Sequence, residues 1–281
     1  MMQRKIKNRL LITLFFISVT SFSFGQQLKI NGVNAQLFVG PGKNQPLIVG
    51  LGGSEGGNAW ASNYWKKIRD QFIERGYAFL AIGYFASDGA PDTLNKIEIE
   101  NVHAAILLAR ENPLINGHRT AIIGGSRGGD LALLLGSYYR DIDCIVGIVA
   151  SHVSFPGHTT HFSTSAWQYK GVALPYVPVN EESVPALMKQ DLRGAFEAML
   201  KDSVAEKNAL INVERINGPL LLLSATKDEI CPSQQMADKI MRRLKEMQFK
   251  HPYQHVAIEG GHAEPLKHFQ LVFDFLDKNF K

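Results

Sequence analysis

Short apolar runs recur along the chain, and most are followed by a stretch with helical spacing. Pro46–Leu51, Tyr77–Ile82, Ala121–Ile123, Cys144–Ala150, Leu220–Ala225 and His255–Ile258 are continuous in apolar character, as strands buried on both faces require. Between them the period changes. Trp60, Tyr64, Ile68 and Phe72 recur at four-residue steps in a helix expected over 60–75, stopped by Gly76 at its C-terminus. Ile99, Val102, Ile106 and Ala109 mark a second helix over 95–110, ended by Asn112-Pro113. Further helices are expected from Leu131 to about Tyr139, over 234–247 and over 265–279. Leu28 to Val39 reads as one or two leading strands around Asn31-Gly32. Strand–helix alternation of this kind predicts a mostly parallel sheet with helices on both faces, in one α/β domain.

One segment breaks the alternation. Residues 151–215 hold loop signals and aromatics first, then a helical run near 195–208. So long an excursion from a compact domain is usually functional. Placed after a central strand, it would lie over the strand C-termini, where open α/β sheets bind ligands. It is expected to be a cap insertion, with Trp167 and Tyr169 as candidate pocket residues. The alternative is an insertion remote from the site.

The glycines carry the chemistry. Gly124-Gly125-Ser126-Arg127-Gly128 matches G-x-S-x-G between a strand and a helix, the setting in which that pattern lifts a serine on a sharp turn. Both flanking glycines leave room that a Cβ would fill. A serine needs a base, and the base needs an orienting acid. After Ser126, Asp228 follows the strand 220–225, and His262 follows the last strand behind Gly260-Gly261. Both leave the edge where Ser126 projects, giving the order Ser, Asp, His. Glu229 stays open as an alternative acid. The oxyanion donors are expected to be the backbone N–H of Arg127 and that of Gly53 or Ser54, in Gly52-Gly53-Ser54-Glu55-Gly56-Gly57. That loop lacks the lysine and the glycine spacing of a phosphate-binding loop, so no nucleotide cofactor is expected. His158 and His161 lack nearby acids or cysteines, so no metal is expected.

Charge and the first residues refine the setting. The formal net charge is +4, yet Arg4, Lys5, Lys7 and Arg9 stand alone among residues 1–25 without an acid, so the remainder is neutral. Nothing calls for nucleic acid as a partner. Those cations precede the apolar run from Leu10 to Val19 and then Ser23-Phe24-Gly25, the pattern of a cleaved export signal over residues 1–25. An exported protein without stable membrane insertion is expected, periplasmic or secreted. The alternative is an uncleaved N-terminal anchor. Cys144 and Cys231 fall at opposite ends of parallel strands, roughly 16 Å apart. A disulfide needs Cα atoms within about 7 Å, so two free thiols are expected.

Taken in order, Leu51–Gly57, Leu80–Phe85, Gly124–Gly129 and Gly260-Gly261-His262 resemble the C-terminal catalytic domain shared by acyl-CoA thioesterases and bile acid-CoA:amino acid N-acyltransferases. That group lies within the dienelactone-hydrolase-like α/β-hydrolases. Trp167–Gly171 and Leu174-Pro175-Tyr176 look like its cap segment. The resemblance covers about residues 46–280 and implies the α/β-hydrolase fold with a Ser126–Asp228–His262 triad acting on small acyl esters or thioesters. Two departures bear on the substrate. The animal enzymes carry a β-sandwich for which residues 26–45 are too few, and coenzyme A is scarce where an exported chain works. An esterase or thioesterase leads. A coenzyme A thioesterase or acyltransferase proper, a peptide hydrolase and a catalytically silent binder are the alternatives.

Overall fold

The computed structural model describes residues 25–281. The export signal read over residues 1–25 lies outside the described residues except for Gly25. The chain opens with β1 (Gln26–Leu28), β2 (Asn34–Phe38) and β3 (Gln45–Leu51), followed by α1 (Lys66–Glu74), β4 (Ala78–Gly83), β5 (Ile97–Glu98) and α2 (Ile99–Arg110). Next come β6 (Ile115–Gly125), α3 (Arg127–Tyr138) and β7 (Cys144–Ile148). The long excursion carries β8 (Trp167–Tyr169), β9 (Val172–Ala173), α4 (Val184–Met188), α5 (Leu192–Met199) and α6 (Ser203–Asn208). The chain closes with β10 (Leu220–Ala225), α7 (Ser233–Glu246), β11 (Tyr253–Ile258) and α8 (Phe269–Asn279).

Eight strands form one sheet in the order β1-β2-β4-β3-β6-β7-β10-β11. Only the β1–β2 and β2–β4 pairs are antiparallel; from β4 to β11 every pair is parallel. Alternation along each strand divides the core. Leu47, Val49 and Leu51 of β3 join Ile122, Ile145 and Leu222 under α2, α3 and α7. Ile48, Ile123, Val146 and Leu221 face the other way, against Phe72 of α1 and the Phe269–Leu276 face of α8. Burial on both sides explains why β3, β4, β6, β7 and β10 read as continuous apolar runs; the edge strand β11 is only partly buried.

Tertiary pairing shortens two of the expected helices. The first helix begins at Lys66, because residues 58–65 turn to seat Trp60 in an aromatic cluster with Trp65, Phe79 and Phe269. Asn58 caps the single 3-10 turn there, and Arg69 donates to the Trp60 carbonyl. The second helix begins at Ile99, because Ile97-Glu98 pair in parallel with Trp167-Gln168 and build a second, three-stranded sheet, β5-β8-β9. Within the 151–215 segment, Val153, Phe155, Val177 and Met199 pack with Cys231 and Met236 into a small core of their own.

Candidate active site

Ser126 sits between β6 and α3 with φ +52° and ψ −121°. A positive φ costs a non-glycine residue about 1–3 kcal/mol and persists only where the surroundings impose it. Here the Ser126 N–H donates to Ile148 O at 2.8 Å, and the Gly129 and Asp130 N–H groups donate to Ser126 O. The flanking glycines make the turn sterically feasible. A Cβ on Gly124 would lie 1.9 Å from Gly128 O, and one on Gly128 would lie 2.2 Å from Gly52 O.

The structure brings Ser126, Asp228 and His262 together. His262 Nε2 lies 3.1 Å from Ser126 Oγ, and its Nδ1 lies 2.9 Å from each Asp228 carboxylate oxygen. Asp228 is fully buried. Burial pushes its carboxyl up, but hydrogen bonds from His262, Ser233 and the Cys231 N–H outweigh burial and hold it below the usual Asp range. With the carboxylate ionised on Nδ1, Nε2 is left to face the serine as an acceptor. Glu229 has a different partner. Its Oε2 accepts the His262 backbone N–H at 2.9 Å, so it steadies the loop on which the imidazole stands.

Among the described residues, Asp228, Cys231 and His262 also offer the one cluster with metal-ligand potential, their ligand atoms lying within 4.8 Å of one another. The donor chemistry argues for hydrogen bonding. Burial pushes the Cys231 thiol well above its ordinary range, so it stays protonated, 3.8 Å from Asp228 Oδ2. Neither His158 nor His161 belongs to this cluster. Cys144 and Cys231 are both free and buried.

The loop after β3 crosses in front of Ser126. A Cβ on Gly53 would lie 3.2 Å from Ser126 Cβ, and Ser54 is exposed at the cavity mouth. Tyr84 donates from its hydroxyl to Gly52 O at 2.7 Å and so fixes the loop from below. Burial holds that phenol well above its ordinary pKa, which keeps it a donor. Arg127 opens α3, so its N–H is one of those a helix start leaves without an intrahelical partner, at the positive end of the dipole. Its side chain is committed elsewhere, donating to Asp130 and to the Phe155 and Pro156 carbonyls. Burial raises the Asp130 carboxyl to about 6, against the pull of Arg127 and the Ser151 N–H.

Above the serine lies a cavity of about 670 Å³, lined by Ser126, His262 and residues of the 151–215 segment. Phe155, Val179, Leu187, Leu192, Phe196 and Met199 make that wall apolar. Arg193 of α5 ties the wall to the acid loop by donating to Asp228 O at 2.8 Å. The two expected pocket aromatics are not part of it. Trp167 is fully buried beside Tyr84 with the Arg127 guanidinium over its ring, and Tyr169 packs on Tyr138. Pairing of β8 with β5 turns both rings away from the cavity and towards α2 and α3. Tyr84 lies within the Leu80–Phe85 motif, but its role, like those of Cys231, Arg193 and the clamp Glu229, had no local sequence signature, because each acts on a partner brought close by the fold.

The family described as BAAT / Acyl-CoA thioester hydrolase C terminal matches residues 97–265. Mouse (Mus musculus) acyl-coenzyme A thioesterase 1 is 27% identical over 214 residues, covering 76% of this chain and 47% of that protein. Human (Homo sapiens) mitochondrial acyl-coenzyme A thioesterase 2 is 24% identical over 249 residues, covering 88% of this chain and 48% of its own length. The chain therefore spans about half the length of the curated relatives it matches. A Pyrococcus furiosus esterase structure superposes with a TM-score of 0.64 at 15% identity, covering 92% of each chain. That likeness shows the α/β-hydrolase fold.

Proposed function

This chain belongs to the BAAT / acyl-CoA thioester hydrolase C-terminal family, and we propose that it is a serine hydrolase of carboxylic esters or acyl thioesters. The observation that carries the reading is the hydrogen-bonded line Ser126–His262–Asp228 at the mouth of an apolar cavity. In this mechanism His262 Nε2 takes the Ser126 hydroxyl proton as Oγ attacks the acyl carbonyl. The resulting oxyanion is held by the Arg127 N–H and by an N–H of the Gly53-Ser54 loop. His262 then hands its proton to the departing alcohol or thiol, leaving Ser126 acylated. Water repeats the sequence with His262 as base, and the acid is released. Asp228 keeps the imidazole in the right tautomer and stabilises its charged form.

A fluorophosphonate probe tests the activated serine against the alternative of a silent binder. The expected result is covalent labelling of one peptide, the one containing Ser126. Folded protein that resists the probe would favour the binder. Export of the enzyme belongs to the same proposal, resting on residues 1–25, and would favour acyl donors other than coenzyme A thioesters.

The acyl chain is assigned to the cavity under the 151–215 segment. Phe196 of α5 packs edge-on against Phe155 at 4.6 Å and lines that cavity. Each buried methylene contributes about 0.8 kcal/mol, close to fourfold in affinity. Phe196→Ala is expected to raise KM for octanoyl esters roughly tenfold while leaving kcat on acetyl esters within about twofold. Steady-state kinetics across chain lengths decide it. Equal losses on acetate and octanoate would place the acyl chain elsewhere.

A further inference from the structure

The loop that crosses Ser126 carries a charged group that this mechanism leaves unused. Glu55 turns its carboxylate back so that Oε1 accepts the Gly53 N–H at 3.0 Å. A Cβ built on Gly53 would lie 2.9 Å from Glu55 Oε2 and 3.2 Å from Ser126 Cβ. The carboxylate and the nucleophilic residue therefore both border the small space in front of Gly53. Glu55 is an exposed residue whose bond to the Gly53 N–H is partly buried, and among the described residues no Lys, Arg or His forms an ion pair with it. The arginine lining the cavity, Arg127, is buried and already bonded to Asp130 and two carbonyls.

One N–H cannot serve two anions. A tetrahedral oxyanion drawing on the Gly53 N–H must first displace Glu55, and it then forms beside a like charge in a partly desolvated site. We propose that Glu55 is a specificity-determining residue that sorts substrates by the charge of the leaving group. It favours esters and thioesters whose alcohol or thiol carries a cation close to the scissile bond. The proposal rests on the serine-hydrolase reading above. Glu55 lines the same cavity from the loop after β3, opposite the apolar wall of the 151–215 segment; with the acyl chain against that wall, the leaving group is placed on the Glu55 side. A cation there attracts the carboxylate off the Gly53 N–H and frees the donor as the oxyanion develops. A neutral group leaves the carboxylate in place, and an anionic one adds repulsion. Even in screened surroundings, opposite charges a few ångströms apart amount to about tenfold in kcat/KM.

The test uses three thioesters with one acyl group: acetylthiocholine, S-propyl thioacetate and S-acetylthioglycolate, which are cationic, neutral and anionic. The full chain and its Glu55→Gln, Glu55→Ala and Ser126→Ala variants are compared by thiol release. The expected order for the native protein is cation, then neutral, then anion. Both Glu55 variants should shrink the cation-to-anion ratio about tenfold, chiefly by speeding the neutral and anionic substrates. A ratio that stays put, or equal losses on all three substrates, overturns the proposal and makes Glu55 a structural brace for the loop. Ser126→Ala separates the two ideas. If it is silent on all three while the Glu55 ratio does not move, only the role of Glu55 fails. Turnover by Ser126→Ala would overturn the serine reading and this inference with it.

Discussion

Replacing Ser126 by alanine is expected to lower kcat by about four to six powers of ten, with the thermal midpoint essentially unchanged. The size follows from what a lone oxygen does here. Ser126 Oγ is the atom that His262 Nε2 faces at 3.1 Å, and removing it leaves a base with nothing to activate except water. The oxyanion donors and the cavity survive the change, so a small residual rate over uncatalysed hydrolysis is expected. Stability should survive too. Alanine at the same φ of +52° carries much the same strain as serine, and the turn is held by backbone bonds to Ile148, Gly129 and Asp130. Steady-state hydrolysis of p-nitrophenyl esters and a melting curve on the same sample provide the measurement. A folded variant retaining more than about a hundredth of native turnover would remove Ser126 from the mechanism.

Legibility in the sequence varied with the range of the interaction. The β–α alternation could be read because the parallel strands inside the edge strand β11 are buried on both faces and the helices that flank them carry the 3.6-residue period. Ser126, Asp228 and His262 could be placed because all three leave C-terminal strand ends, a constraint of topology rather than of distance. The second sheet was not legible. β5 and β8 are two and three residues long, and Ile97 meets Trp167 only once the chain has folded. The same pairing misled the reading of Trp167 and Tyr169. An aromatic side chain suits a core as well as a ligand wall, and strand register, invisible locally, decided for the core. Cavity-lining Phe196 lay in the helical run near 195–208, but nothing in its spacing distinguished the cavity face of α5. The carboxylate of Glu55 was equally hidden. A glutamate in a glycine-rich loop reads as solvated, and its bond to the Gly53 N–H depends on the loop's curvature.

The elbow glycines make the last prediction, because two adjacent positions should behave in opposite ways. A Cβ on Gly124 would meet Gly128 O at 1.9 Å, Gly128 C at 2.3 Å and Gly129 N at 2.7 Å. All three are backbone atoms of the first turn of α3, so no side chain can rotate to relieve them. The helix would have to move off β6, and with it the buried Leu131, Leu134 and Leu135. Overpacking that flexible neighbours absorb costs about 1–3 kcal/mol, and a clash confined to backbone should exceed that range. Gly124→Ala is therefore expected to lower stability by more than about 3 kcal/mol or to prevent folding. At Gly125 the nearest atom is Leu266 Cδ2 at 3.7 Å, an ordinary contact, and its φ is not positive. Gly125→Ala should stay within about 1 kcal/mol of the native chain. Urea unfolding of both variants compares them directly. Equal midpoints would mean that α3 can slide on the sheet, and that the first glycine of the motif is not there to let helix and strand approach.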